Sequence, residues 1–229
     1  PRSRPKKEDP GQMKLFFFFY ANIERPTSNV QRPTSNVKGP PERFTALCEE
    51  REIRLNEPQL DLLYRYVARL LEVNRTMNLT AVRDAEGVWT RHVFDSLLVL
   101  PRLKGDTGQR ALDLGSGGGF PGLVLAVMRP DMHWTLVDSV GKKARFLAET
   151  AEALGLENVG VSSERAEVLG RDPAFRQQFH VVTARAVARL NVLMELTAPL
   201  LRRGGHLLAQ KGEKAPDEIK EARRASELL

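Results

Sequence analysis

Residues 111–122 read Ala-Leu-Asp-Leu-Gly-Ser-Gly-Gly-Gly-Phe-Pro-Gly, an apolar run that leads directly into a glycine-rich segment. The glycines let the backbone turn sharply and approach a ligand closely, and Pro121 is tolerated in the first turn of a helix. The next apolar run, residues 132–137, ends at Asp138, whose carboxylate can accept hydrogen bonds from two ribose hydroxyls. This order of strand, glycines, helix and distal acid predicts a nucleoside-binding crossover between parallel strands.

Two nucleoside cofactors are compatible with the glycines. Gly117, Gly119 and Gly122 satisfy the dinucleotide fingerprint G-x-G-x-x-G, in which the start of the helix holds a pyrophosphate. Asp113, two residues before Gly115, adds a carboxylate that suits the cationic end of S-adenosyl-L-methionine and would repel a pyrophosphate. The pattern acidic-x-Gly-x-Gly-x-Gly resembles the first motif of Rossmann-like methyltransferases. It favours S-adenosylmethionine, with a dinucleotide or a turn without a ligand as alternatives.

Length and composition allow one sizeable α/β domain with an appendage. The chain has 229 residues, and its single cysteine, Cys48, excludes an internal disulfide framework and indicates a reducing compartment. No apolar run approaches the roughly 20 residues that span a bilayer. Residues 1–41 hold eight basic and three acidic residues, whereas the rest holds 27 and 26, so little of the net charge of +6 belongs to the body. We expect a cytoplasmic protein that contacts RNA through local basic patches.

Residues 1–41 differ in composition from the rest of the chain. They contain seven prolines and a direct repeat of Arg-Pro-Thr-Ser-Asn-Val at 25–30 and 32–37. The apolar run at 15–21 is short and no small-x-small cleavage site follows it, which argues against a signal peptide. We therefore interpret residues 1–41 as a disordered or non-native tail.

Residues 42–105 show helical periodicity and are expected to form an N-terminal helical subdomain. Asn56 with Gln59 three residues later has the pattern of a capping box at a helix start. A stripe for burial follows at Leu60, Leu63, Val67, Leu70 and Leu71. A third helix is predicted over 85–100, with Trp89, Val93, Leu97 and Leu100 facing inward and Pro101 ending it.

Residues 106–229 alternate between strand and helix patterns. Strands are expected at 111–115, 133–138, 158–162, 181–185 and 206–211, and helices at 121–128, 142–154, 186–201 and 216–229. This alternation predicts an α/β fold with a mostly parallel, doubly wound sheet. Methyltransferases of this class usually add a final β-hairpin after the fifth helix. We therefore expect either truncation at the C-terminus or a sheet edge that is completed in another way.

Six further segments accompany the glycine-rich one in a specific order. They are Asn-Leu-Thr-Ala-Val-Arg at 78–83, Arg-His-Val-Phe-Asp-Ser at 91–96, Leu-Val-Asp-Ser-Val-Gly-Lys-Lys-Ala-Arg-Phe-Leu at 136–147, Arg-Ala-Glu at 165–167, Thr-Ala-Arg-Ala at 183–186 and Lys-Gly at 211–212. From about residue 42 onward, the ordered set resembles the ribosomal RNA small-subunit methyltransferase G family. The resemblance implies a Rossmann-like class I methyltransferase that methylates N7 of a guanine in 16S ribosomal RNA, as naked RNA or in the 30S subunit. It also implies S-adenosylmethionine as cofactor, and we expect a monomer.

The resemblance also implies a set of cofactor-binding residues at the carboxyl ends of the strands, where open α/β sheets bind ligands. They are Gly115, Gly117, Phe120, Asp138, Ser139, Val140, Ala166, Glu167 and Arg185. Asp138 is expected at the ribose, and Ala166 and Glu167 beside the adenine. Two of these residues have simpler explanations, because Asp138 could cap the following helix and Arg185 could pair with a surface carboxylate.

Candidates for the RNA side are Arg91, His92, Lys142 and Lys143. A local hydrogen-bonded pair would explain His92 equally well, and the lysines could form a solvated helix face. We assign no catalytic acid or base and no metal ligand, because guanine N7 already carries an available lone pair. Cys48 lies far from the strand ends in sequence, which argues against methylation of cytosine C5 through a cysteine nucleophile.

Three other functions remain open from the residues alone. A small-metabolite methyltransferase would use the same cofactor site. An NAD-dependent oxidoreductase is disfavoured by Asp113 and by the lack of an evident hydride-transfer dyad. A non-catalytic RNA-binding module is the third alternative.

Overall fold

The computed structural model describes residues 14–19, 39–103, 107–212 and 215–226, and for residues 14–19 and 223–226 it describes the backbone only. Its centre is a six-stranded sheet. The strands are β1 (Lys14–Phe19), β2 (Arg110–Leu114), β3 (His133–Val137), β4 (Val159–Ser162), β5 (Phe179–Arg185) and β6 (Leu201–Lys211). They lie in the order β1-β6-β5-β2-β3-β4, and every neighbouring pair is parallel. The predicted doubly wound parallel sheet is confirmed.

The strand order places a topological switch point in the middle of the sheet. From β2 the chain winds outward through β3 to β4, and then returns to β5 on the other side of β2. Ligands of open α/β sheets bind at such a point, outside the carboxyl ends of the two diverging strands. The loops after β2 and β5 therefore face the crevice where a cofactor is expected.

Helices cover both faces of the sheet. In chain order they are α1 (Glu42–Glu50), α2 (Glu57–Met77), α3 (Ala85–Val88), a π-helical turn (Trp89–Val93), α4 (Phe94–Leu97), a 3-10 turn (Leu100–Arg102), α5 (Gly122–Met128), α6 (Gly141–Leu154), α7 (Ala166–Leu169), α8 (Leu190–Thr197) and α9 (Ala215–Ser226). One core cluster joins α1, α2 and α4 to α5 and α6, and another joins α7, α8 and α9 to the opposite face.

The N-terminal helices share their core with the sheet domain. The predicted capping box of α2 is confirmed, because Asn56 Oδ1 accepts from the Gln59 amide at 2.9 Å and Gln59 Oε1 accepts from the Asn56 amide at 3.0 Å. Leu63, Val67 and Leu70 are buried. Residues 104–106, where we placed a domain boundary, lie outside the described residues. Residues from both sides of this boundary in the sequence, such as Leu97 and Leu123, belong to one hydrophobic core cluster.

Within the segment interpreted as a tail, residues 14–19 form β1, which pairs with the outer edge of β6. Residues 1–13 and 20–38 of that segment lie outside the described residues. An open edge offers unpaired N–H and C=O groups, and a Phe-rich segment has high β-propensity. Helix α8 begins at Leu190 rather than at residue 186, because Ala186 adopts a left-handed φ of 57°. The third predicted helix contains the π turn, which the periodicity did not indicate.

Candidate cofactor and active site

The glycine-rich loop lies between β2 and α5 and depends on glycine at specific positions. Gly119 has a φ of +102°, a conformation that side-chain-bearing residues rarely adopt. A β-carbon there would lie 2.5 Å from Leu123 Cδ1 and 2.6 Å from Tyr66 Oη. Tyr66 also donates a hydrogen bond to the Gly118 carbonyl at 2.6 Å. Helix α2 therefore supports the loop directly.

Asp113 anchors this loop from inside the protein. Its side chain is 0% exposed, with Oδ1 accepting from the Thr183 hydroxyl at 2.7 Å and Oδ2 from the Gly122 amide at 3.1 Å. Burial raises the pKa of Asp113 to about 6, although these hydrogen bonds act in the opposite direction. Because it is fully buried, Asp113 cannot contact a ligand directly, and its two hydrogen bonds tie β5 to the start of α5.

Asp138 links the end of β3 to the glycine loop. The residue is 7% exposed, and its Oδ2 accepts from the Gly117 amide at 2.8 Å while Oδ1 accepts from the Val140 amide at 2.9 Å. A carboxylate offers about four acceptor positions, so two remain for ribose hydroxyls. Helix α6 begins at Gly141 and its cap residue, Val140, makes no side-chain capping bond. The simple helix-cap explanation of Asp138 therefore accounts for only one of its two hydrogen bonds.

A cavity of about 200 Å³ lies beside this loop, and we call it the cofactor cavity. Four of the predicted cofactor residues line it, namely Gly115, Ser139, Ala166 and Glu167. Val187, which the sequence analysis did not single out, also lines it and is 37% exposed. Its Cγ2 would lie 2.6 Å from a β-carbon at Gly115, and the φ of +69° at Gly115 also favours glycine. Val140 is exposed at 42%, next to Ser139.

Phe120 and Arg185 belong to an aromatic cluster rather than to this cavity lining. Phe120 is buried, and the Arg185 guanidinium lies 5.1 Å from the centre of its ring. The rings of His92 and Tyr66 pack on Phe120 at centroid distances of 4.8 and 5.3 Å. The cluster holds the Arg185 guanidinium beside the glycine loop by a cation–π contact. No described carboxylate pairs with Arg185, so the simpler explanation of a surface ion pair is not supported.

His92 lies in the π turn, where its Nε2 is 2.6 Å from Thr80 Oγ1. Burial and then the Arg185 charge lower the pKa of His92 to about 4, so the ring is neutral near pH 7. Arg91 is exposed in the same turn. Lys142 and Lys143 occupy the first turn of α6, the former exposed and the latter half-buried. The lysines therefore lie close in sequence to Asp138, and the arginine and histidine lie on the helical appendage.

A second cavity, of about 360 Å³, lies at the ends of β5 and β6. Its lining includes Arg185 and Val187, and also Gln210, Lys211 and Glu218, which the sequence analysis did not assign to the site. Lys211 Nζ donates to the Ala188 carbonyl and pairs with Glu218 Oε2 at 2.8 Å. The signal for Lys211 was its place in the Lys-Gly motif at the end of the last strand.

The fold and the site define a Rossmann-like methyltransferase, with a nucleoside-binding loop at the switch point and an acid after the next strand. The family model described as rRNA small subunit methyltransferase G matches residues 59–229. The chain belongs to this family.

Relatives agree with this assignment, and a solved structure shares the fold. The chain is 49% identical over 171 residues to a protein of Roseiflexus castenholzii named ribosomal RNA small subunit methyltransferase G, covering 75% of this chain and 73% of the relative. It is 43% identical over 190 residues to the protein of that name from Streptococcus gordonii, covering 82% and 80%. The crystal structure of the [4+2]-cyclase SpnF shares the fold, with a TM-score of 0.51, 19% identity and coverage of 73% and 71%.

Among the residues that the structure describes, no helix is both long and apolar enough to cross a membrane. Within the same ranges, no group of three or more His, Cys, Asp or Glu side chains is arranged to hold a metal ion.

Proposed function

We propose that this protein transfers a methyl group from S-adenosylmethionine to N7 of a guanine in 16S ribosomal RNA. The observation that carries the proposal is the arrangement of Asp138, the glycine loop and the cofactor cavity at the switch point, in a chain that belongs to the methyltransferase G family. The alternative of an NAD-dependent oxidoreductase gains no support from these features.

The residues around the cofactor cavity fit S-adenosylmethionine by their chemistry. Asp138 retains acceptor positions for ribose hydroxyls, and the small apolar Ala166 with Glu167 offers a surface and backbone for adenine. Asp113 places a negative charge beneath the loop without exposing it, which favours a cationic ligand over a pyrophosphate. When bound, this cofactor supplies an electrophilic methyl group on a sulfonium.

The chain supports a reaction without proton transfer. Guanine N7 carries a lone pair, so alignment of the base is the main requirement, and well-oriented reactions gain roughly 7–11 kcal/mol from proximity. Cys48 is buried among the N-terminal helices, and burial raises its pKa to about 11, so it is not a nucleophile. His92, whose pKa is lowered to about 4, holds no proton to donate as an imidazolium at neutral pH.

The RNA contacts are proposed to come from the two basic groups already described. Arg91 and His92 lie on the helical appendage, and Lys142 and Lys143 lie at the start of α6. Arg91, Lys142 and Lys143 would contact phosphates, which position RNA without reading its sequence. His92 is neutral near pH 7, so it would contribute a hydrogen bond and no charge. We further propose that the protein acts as a monomer in the cytoplasm, on 16S ribosomal RNA or on the 30S subunit that contains it.

The test is transfer of labelled methyl groups from S-adenosylmethionine to 30S subunits and to naked 16S ribosomal RNA that lack the modification. We expect label in the RNA and its recovery as 7-methylguanosine after digestion to nucleosides. Titration with NADH in a calorimeter should give no heat of binding. Label in another nucleoside, or in small metabolites but not in RNA, would refute the proposal.

A further inference from the structure

Val187 forms an apolar part of the wall of the cofactor cavity. It lines both this cavity and the second one, and its side chain packs against the glycine loop at Gly115. The residue is 37% exposed, so part of its apolar surface is free to meet a ligand. Val187 belongs to the irregular loop at 186–189, which begins with the left-handed Ala186. Its position therefore depends on the contacts that hold this loop.

Glu218 of α9 holds the end of the loop, where α8 begins. Helix α8 starts at Leu190, and its cap residue, Arg189, makes no side-chain capping bond. Glu218 Oε2 accepts a hydrogen bond from the Leu190 amide at 2.9 Å, so a carboxylate from another helix satisfies one of the free amides at this helix start. A negative charge is also favourable at the N-terminus of a helix.

The same carboxylate oxygen holds the middle of the loop through Lys211. Lys211 Nζ pairs with Glu218 Oε2 at 2.8 Å and donates a hydrogen bond to the carbonyl of Ala188, the residue after Val187. Burial acts to raise the pKa of Glu218, but the bonds from Lys211 and Leu190 lower it overall, so the carboxylate is charged near pH 7. One buried ion pair therefore fixes the backbone on the C-terminal side of Val187.

Helix α9 has a second, weaker link to the loop. Arg189 pairs with Glu221, but the two side chains are 62% and 50% exposed, and such surface pairs contribute little. The Lys211 side chain, by contrast, is 9% exposed, and Ala222 of α9 is buried in the same core cluster as Leu190. Glu218 is therefore the main polar link between α9 and the loop among the described residues.

We propose that Val187 contacts bound S-adenosylmethionine, and that Glu218 is a positioning residue that acts through the loop at 186–189. The inference rests on the cofactor of the proposed function and on no particular RNA target. It assigns to α9, which lies outside the nucleoside-binding crossover, a role in shaping the wall of the cofactor cavity.

The test is a double-mutant cycle on the affinity for S-adenosylmethionine, measured by calorimetry with Val187→Ala, Glu218→Ala and the double variant. Each CH2 buried against a ligand changes affinity about fourfold, so Val187→Ala should weaken binding roughly fivefold or more. Glu218→Ala should weaken it at least about threefold, because the loop loses two of its contacts. If Glu218 acts through Val187, the double variant should bind no more than about twofold more weakly than Val187→Ala alone.

Glu221→Ala is the matched control, because the same residue type on the same helix also pairs with the loop, but at the surface. It should leave the affinity for S-adenosylmethionine unchanged. Glu218→Gln should restore wild-type affinity, because its amide oxygen can accept from the same two donors. Thermal unfolding shows whether each variant is folded, and Glu218→Asp, whose shorter side chain cannot reach both donors, takes the place of Glu218→Ala if the latter does not fold.

Unchanged affinity in Val187→Ala, or losses that multiply in the double variant, would overturn the inference. A wild type that binds the cofactor but modifies a nucleoside other than guanosine would refute the target of the proposed function, while these binding measurements still decide the inference.

Discussion

Replacement of Asp138 by alanine tests the cofactor site at its most specific contact. The substitution removes the acceptor for the Gly117 and Val140 amides and the positions assigned to two ribose hydroxyls. A hydrogen bond to a charged group contributes about 1.5–3 kcal/mol, so the loss of two should weaken cofactor binding by at least about 3 kcal/mol. Since each 1.4 kcal/mol is a factor of ten, we expect the affinity for S-adenosylmethionine to fall by roughly a hundredfold or more.

The measurement is isothermal calorimetry with S-adenosylmethionine, together with the thermal unfolding midpoint of each variant. The fold should persist, because the two orphaned amides cost about 1–3 kcal/mol each, less than the stability of a typical domain. Asp172→Ala is the control, since Asp172 also accepts from a backbone amide, that of Ala174 at 2.8 Å, but lies on the exposed loop before β5. Unchanged affinity in a folded Asp138→Ala variant would refute the ribose assignment.

Three further predictions concern the loop and its supports. Gly119→Ala should lower the free energy of unfolding by about 3 kcal/mol, because of its positive φ and the contacts to Leu123 and Tyr66, whereas Gly160→Ala, with no heavy atom closer than 4.0 Å, should change it little in chemical denaturation. Burial raises the pKa of Asp113 to about 6, above its value of 3.8 when unfolded, so the folded state holds this proton more tightly and loses stability as pH rises from about 4 to about 6. Asp113→Asn should lack this decline, so the free energies of unfolding of the wild type and the variant, each measured against pH, should change relative to one another by roughly 3 kcal/mol between about pH 4 and pH 6. Parallel profiles for the two proteins would contradict this prediction. Arg185→Lys should lower kcat for methylation at least about tenfold, because an ammonium keeps the charge but loses the planar contact over Phe120 that holds Arg185 beside the glycine loop. Wild-type kcat in this variant would show that this contact does not support methylation.

The central crossover could be predicted from sequence because its signals are local. Gly115, Gly117 and Gly119 all have positive φ, as their pattern after an apolar strand suggested, and Asp138 follows the next strand within the same unit. Parallel strands bring their carboxyl ends to one edge of the sheet, so the residues that follow β2, β3 and β4 lie close together there. The capping box at Asn56 was local in the same way.

The second cavity could not be predicted, because its residues come from separate elements. Gln210 and Lys211 end β6, Glu218 belongs to α9, and the loop at Ala186 was assigned to a helix. The apolar pattern of residues 186–189 gives no sign of the left-handed φ of Ala186, and for this reason the helix was predicted to begin at residue 186 and not at Leu190. The orientation of the Gln210 amide, whose Oε1 has no hydrogen-bond partner among the described residues, is set by a bond from Nε2 to the carbonyl of Asp95, more than a hundred residues away in the chain.

Asp113 shows a different limit of sequence reasoning. Its position two residues before the first glycine indicated a carboxylate near the ligand, and its charge does lie beneath the loop. The direction of the side chain depends on Thr183 in β5, which hydrogen-bonds it from the neighbouring strand. A sequence pattern gives the residue type at a position, whereas partners from other strands decide whether it contacts a ligand.

The most direct measurement is a crystal structure of this protein soaked with S-adenosylmethionine. We predict density for the nucleoside at the switch point, with both ribose hydroxyls within hydrogen-bond distance of Asp138 and the adenine beside Ala166. Density at a different place, or no density at the switch point at saturating ligand, would contradict the account.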